Sequence, residues 1–133
     1  MTSTRKAACC CGACSITVAG DPILNGVCHC DNCRRRTGSA FGWSAYFPDD
    51  RIVAQDGEPA VYVLDPADPQ RQQRSFCPNC GTTLYWKTSS FPGHTGIAGG
   101  CFAGVPLAEP ALTATDDNRP AWLALPETWA RMP

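Results

Sequence analysis

Cys28-His29-Cys30-Asp31-Asn32-Cys33 places three thiols within six residues, and Arg34-Arg35-Arg36 follows at once. Thiols this close in sequence rarely form unstrained disulfides, because a bridge needs Cα atoms roughly 4.4–6.8 Å apart and suitably directed Cβ vectors. A soft metal ion collects them more easily. Cys28, Cys30 and Cys33 supply three ligands, and three protein ligands with a free fourth position is the stoichiometry of a reactive zinc. The adjacent cations lower thiol pKa values and stabilise a negatively charged trio, and they suit carboxylates on a substrate. Arg34 and Arg35, with Thr37 and Ser39 of the following Thr-Gly-Ser turn, are the candidate substrate contacts.

A second group reads differently. Cys77-Pro78-Asn79-Cys80-Gly81 is a metal knuckle in which glycine permits a tight turn with backbone N–H groups facing the thiolates. It supplies two ligands of the four that a closed structural site needs, and Cys9 and Cys11 of the Cys-Cys-Cys-Gly run are a candidate partner pair. On spacing alone a plainer reading stays open: all these thiols could form one or two closed structural sites, with Cys10, Cys14, Cys101 or His29 completing the trio. Cys14 shares a face with Ile16 and Val18 and reads as core. Cys10 reads as a bystander thiol, and Cys101 as either core or site-facing. His29, between two ligands, is expected to face away from the metal. His94 reads as an exposed loop residue.

The elements that must position these groups are short strands. Cys14 to Val18 alternates apolar and polar residues, and Ile23 to Cys30, Phe41 to Phe47, Ile52 to Ala54, Ala60 to Leu64, Thr82 to Lys87 and Gly96 to Phe102 also read as strands. Residues 65–74 form a polar, proline-marked loop, and prolines at 110, 120, 126 and 133 break up any long helix near the C-terminus. Twelve glycines and twelve prolines favour an all-β fold of small twisted sheets with little helix. Residues 1–7 read as a loose tail and 8–133 as one metal-stapled domain, since a core this small gains much from staples.

Composition narrows the function. The 133 residues are 44% apolar, which fits a globular chain, and 11 basic residues against 12 acidic give a formal charge of −1. That balance offers no electrostatic footprint for nucleic acid or an acidic membrane. No window approaches 18 consecutive apolar residues, and the start lacks the apolar segment of a signal peptide, so a cytoplasmic location is expected.

The blocks AACCCGACSITV, GVCHCDNCRRRTGSAFGWSAYF, RSFCPNCGTTLYW and RPAWLAL together resemble the glutathione-dependent formaldehyde-activating enzyme family, which includes the centromere protein V group. The resemblance spans roughly residues 8–125. It implies a β-tent fold and two Zn2+ ions: a structural one at the positions of Cys9, Cys11, Cys77 and Cys80, and a second at Cys28, Cys30 and Cys33. It further implies a carbon–sulfur lyase activity that interconverts S-hydroxymethylglutathione with glutathione and formaldehyde. Cys14, the run GGCFAGVP and the absence of a family histidine near Thr113 depart from the pattern, and they bear on substrate identity more than on fold. A zinc-stapled binding or scaffold module without chemistry is the alternative.

Overall fold

The computed structural model describes residues 3–133; Met1 and Thr2, part of the expected loose tail, lie outside the described residues. The chain is mostly β, with 40% strand in two twisted sheets and 12% helix, the latter comprising one α-helix and the short 3-10 turns Asp49–Arg51, Gly99–Cys101 and Asp116–Asn118. In chain order the strands are β1 (Thr4–Ala8), β2 (Ser15–Ala19), β3 (Leu24–Cys28), β4 (Gly42–Pro48), β5 (Ile52–Asp56), β6 (Ala60–Val63), β7 (Gln72–Phe76), β8 (Thr83–Thr88), β9 (His94–Ala98), β10 (Leu112–Ala114) and β11 (Ala130–Arg131), with one helix, α1 (Asp31–Thr37), after β3. The small sheet has the order β1-β2-β5, and the large one β11-β10-β3-β4-β9-β8-β7-β6. Pairing is antiparallel except where β10 runs parallel to both β3 and β11.

The strand patterns explain the layers. In β2, Ile16 and Val18 point inward, as their alternation requires. They meet Ala45 and Phe47 of β4, Leu84 of β8, Ile97 of β9 and Phe102, which form one buried cluster between the sheets. Cys14 is only 2% exposed and packs in that cluster, as its shared face with Ile16 implies. Cys9 and Cys77 lie at the edge of the same core, so one thiol cluster grows directly out of the hydrophobic interior.

Three elements depart from the sequence expectation. Thr4–Ala8 is not a loose tail: Ala7 is fully buried, and the segment pairs along β2 from Thr4 opposite Ala19 to Ala8 opposite Ser15. A charged start hides the strand: Lys6 faces outward, whereas half-buried Arg5 alternates onto the same face as the buried Ala7. The polar 65–74 segment ends earlier than its composition suggests, with β7 beginning at Gln72 and pairing β6 antiparallel. The stretch after Cys30 is a short helix. Cys30 caps it, its Sγ accepting from the Cys33 N–H at 3.3 Å. Gly38, at φ 63°, closes it with its N–H on the Arg34 carbonyl. Arginines in the last turn suit the negative end of the helix dipole.

The C-terminal segment is tied to the rest through Asp116. Its carboxylate accepts from Arg119 Nε at 2.9 Å, Thr113 Oγ1 at 3.0 Å and Arg131 Nη1 at 3.1 Å. The Arg119 hydrogen bond, followed by those of Thr113 and Arg131, holds its pKa down at about 2 against a usual 3.8. A depressed carboxyl pKa contributes stability that is complete above the unfolded value and lost as pH falls through the folded one. The stability difference between wild type and Asp116→Asn is therefore expected to be constant above pH 4 and to shrink between about pH 4 and pH 2. Urea midpoints measured across that range check it, and a difference independent of pH would refute the assignment.

Candidate metal centre

The first cluster joins two distant turns. Cys9 and Cys11 follow β1, and Cys77 and Cys80 follow β7. Gly81, at φ 82°, takes the left-handed conformation that lets its N–H reach the Cys77 carbonyl at 2.8 Å. The four Sγ atoms all lie within 4.8 Å of one another. The Cys9–Cys11 and Cys11–Cys77 separations are 3.7 and 3.6 Å. These are far beyond a sulfur–sulfur bond of about 2.05 Å. They match the edge of a tetrahedron with metal–sulfur bonds of about 2.3 Å, an edge of roughly 3.8 Å.

Donors already surround the sulfurs. The Cys14 N–H donates to Cys9 Sγ at 3.3 Å, and this contact leads the causes that lower the Cys9 pKa. The Thr82 hydroxyl lies 3.3 Å from Cys80 Sγ and draws that thiol down to about 5. Burial first, and then hydrogen bonding with neighbouring thiols, push Cys11 and Cys77 the other way. A four-thiol set of this shape fits a structural tetrahedral ion, and zinc suits the ligands.

The second cluster sits where β3 meets α1. Cys28 ends the strand, Cys30 caps the helix and Cys33 lies in its first turn; their Sγ atoms are also within 4.8 Å of one another. All three are half-buried. Hydrogen bonding from Cys33 is the largest cause drawing Cys28 down to about 5, and Cys33 correspondingly holds its proton to high pH. A bound divalent cation would offset this opposition and let Cys33 ionise beside Cys28. The donor set fits a zinc held by three cysteines. The Thr115 hydroxyl lies 3.7 Å from Cys28 Sγ. Thr115 itself has φ 51°, strained for a β-branched residue.

His29 does not join the trio, as expected. It is fully buried, with Nε2 2.9 Å from Thr113 Oγ1 and Nδ1 3.2 Å from the Ala40 carbonyl. Thr113 therefore works as a partner for the buried imidazole. Cys10 is exposed; Cys101 is half-buried, and burial pushes its pKa up to about 11. Neither joins a cluster.

The candidate substrate contacts separate. Arg34, Arg35 and Ser39 line a cleft of about 660 Å3 with Trp122. Thr37 is exposed, but its hydroxyl is spent on the backbone, with Oγ1 2.9 Å from the Cys33 carbonyl and 3.1 Å from that of Phe41, so it fixes the helix end. Arg36, expected only as one of the cations near the trio and not as a substrate contact, is the arginine beside it. Its guanidinium stacks 4.1 Å from the Trp86 ring centroid. A Cβ on Gly42 would fall 2.5 Å from Arg36 Nη2 and 3.1 Å from Cys33 Cβ, so glycine there is what lets the two side chains share the space. Tyr46 lies in the same region; its hydroxyl accepts from Trp86 Nε1 at 3.0 Å, and burial raises its pKa. Tyr46, Trp86, Thr115 and Arg74 had no local motif to announce them, since distant strands bring them together.

Fold and site together define a mostly-β protein that carries one four-thiol cluster and one three-thiol cluster, each shaped for a metal ion. The family model for the glutathione-dependent formaldehyde-activating enzyme matches residues 4–115, and the chain belongs to that family. No curated protein matches it. A crystal structure of a Rhodobacter sphaeroides protein is similar in fold, with a TM-score of 0.60 and 24% identity over 75% of this chain and 89% of that one. No helix among the described residues is long and apolar enough to cross a membrane.

The two clusters should respond differently to loss of one sulfur. Cys77→Ser removes a ligand rooted in the core, and structural zinc contributes roughly 10–16 kcal/mol of binding free energy in small metal-folded peptides. This variant is expected to lose one metal and to melt on the order of 10 °C lower or fail to fold. Cys30→Ser should lose one metal while the melting point moves only slightly. Metal analysis with thermal melts checks both; equal loss of fold would refute two distinct roles.

Proposed function

We propose that each cluster binds one Zn2+ and that the Cys28, Cys30 and Cys33 centre handles a small thiol. The reading is a carbon–sulfur lyase type: it interconverts S-hydroxymethylglutathione with glutathione and formaldehyde, or acts on a related thiol adduct. The observation that carries it is the contrast between the clusters. One has four thiols, two of them buried. The other has only three, all half-exposed, and Cys30 lines a cleft of about 340 Å3 with Thr115, Asp117 and Asn118. Family membership supports the choice of glutathione and formaldehyde.

Zinc, when bound, supplies the positive charge that keeps the cysteines ionised and lowers the pKa of an incoming thiol. The chain's residues do the rest. The helix holds the sulfur trio in fixed geometry, so a thiol and an aldehyde meet as positioned neighbours. In the forward direction the thiol loses its proton and its sulfur adds to the aldehyde carbon. The carbon–oxygen π pair moves to oxygen, which takes up a proton to give the hydroxymethyl adduct. Tyr46, whose raised pKa keeps its phenol protonated at neutral pH, is the nearby group suited to donating a hydrogen bond to that oxygen. Arg34 and Arg35, with Ser39 beside them, offer an electropositive approach for an acidic substrate.

Calorimetric titration of glutathione into zinc-loaded protein tests this. Saturable binding is expected in the wild type and at least tenfold weaker binding in Cys30→Ser. No binding to protein that holds two zinc ions would defeat the proposal.

A further inference from the structure

The β6–β7 hairpin lies against α1. Arg74 Nη2 donates to Asn32 Oδ1, and Asn32 Nδ2 donates to Gln72 Oε1 at 3.4 Å. Between hairpin and helix is a cleft of about 480 Å3 into which Arg35, Arg36, Arg71 and Arg74 converge, with Tyr62 beside them. Four guanidinium groups in a chain of net charge −1 are a local excess that costs mutual repulsion. Beyond the cysteine trio, little negative charge offsets it. Asp31 lines the same cleft, and Asp65 reaches Arg71 only at 3.9 Å across a largely exposed gap. Among the described residues, neither Arg36 nor Arg74 has a carboxylate within 4.0 Å.

These two arginines are also held in place. Arg36 stacks on Trp86, and Arg74 lies 5.7 Å from the Tyr62 ring centroid. Arg74 Nε donates to Gln72 Oε1 at 2.7 Å, which fixes its plane. Arg36 Nη2 is buried without an acceptor, an arrangement that is ordinarily unfavourable. Oriented, under-neutralised guanidinium forks are what planar recognition of a carboxylate requires. Arg36 lines this cleft and also shares the space over Gly42 with Cys33, which sets the cleft close to the three-cysteine centre.

We propose that the cleft between α1 and the β6–β7 hairpin is an acid-recognition subsite, in which Arg36 and Arg74, with Arg71 at the mouth, hold a carboxylate of the small thiol whose sulfur goes to the cysteine trio. The choice of ligand rests on the thiol reading above; the cleft itself does not. Specificity for an acidic thiol then comes from a hairpin distant in sequence from the trio.

Two probes separate the parts. S-methylglutathione carries the carboxylates without a free thiol, and 2-mercaptoethanol carries the thiol without a carboxylate. Each is titrated into zinc-loaded wild type, Arg74→Gln and Arg71→Gln, with metal content and circular dichroism recorded. S-methylglutathione should bind the wild type, at least tenfold more weakly in Arg74→Gln and several-fold more weakly in Arg71→Gln, while 2-mercaptoethanol binds all three alike. If S-methylglutathione fails to bind, binds the variants as well as wild type, or weakens only in parallel with 2-mercaptoethanol, the subsite is overturned. If 2-mercaptoethanol does not bind but S-methylglutathione still depends on the arginines, the thiol reading fails and the subsite stands. Should Arg74→Gln not fold, the exposed Arg71→Gln decides on its own.

Discussion

The link between Cys9, Cys11, Cys77 and Cys80 is the constraint on which the rest of the architecture depends. It joins the turn after β1 in the small sheet to the turn after β7 in the large one, with Cys11 and Cys77 66 positions apart in the chain. The buried cluster between the sheets is built from a few medium-sized side chains and one pair of phenylalanines, Phe47 and Phe102, whose centroids are 6.0 Å apart. A core that small leaves little surplus over the entropy of ordering the chain. Four thiols converging between two sheets that share no strand are placed so that one bound ion would fix the sheets' relative position, at the rim of the core, where Cys9 and Cys77 are already dry.

The same residue type does different work a short distance along the chain because number and surroundings differ. At the first cluster, four sulfurs converge on chain turns, with backbone and threonine donors in contact. At the second, a strand end, a helix cap and a first helical turn bring three sulfurs together. A helix of seven residues is too short to be stable alone. Its capping by Cys30 and Gly38 and the backbone-bonded hydroxyl of Thr37 make it a rigid mount. The positive charge on its last turn does not surround the sulfurs uniformly. Arg36 turns in beside Cys33, Arg34 faces a separate cleft, and Arg35 borders both that cleft and the one against the β6–β7 hairpin.

Much of this was legible in the residues. Cysteine spacing separates the two clusters because ligand geometry is local: a two-residue gap makes a knuckle whatever lies beyond it. Alternation in Ser15–Ala19 marks a strand and places Cys14 in the core. What stayed hidden depends on partners far along the chain. Thr4–Ala8 has no apolar alternation strong enough to announce a strand, and pairing with β2 creates it. Asp31–Thr37 carries no hydrophobic periodicity and buries no residue, so nothing in its pattern says helix; its caps do. Tyr46, Trp86 and Arg74 stand on three different strands of the large sheet, and only sheet order brings them near the trio.

The strand order also explains how the C-terminal part of the chain serves the three-thiol centre without supplying a sulfur. β10 runs parallel to β3 and places Ala114 opposite Cys28. The His29 N–H then donates to the Ala114 carbonyl at 3.1 Å, its ring meets Thr113, and its own carbonyl accepts from Asn118 Nδ2 at 2.6 Å. His29 is thus spent on holding the segment between two cysteines against β10, which is why a residue flanked by ligands is not one. Thr115 is the next residue out. Its left-handed backbone turns the chain away from the strand while leaving its hydroxyl near Cys28. Strain of about 1–3 kcal/mol at such a residue persists only where surrounding contacts over-determine it. Here Asp116, bound to Thr113, Arg119 and Arg131, provides them from the following residue. The geometry of the sulfur trio is therefore set from both sides, by the helix cap in front and by a buried histidine–threonine–aspartate chain of hydrogen bonds behind.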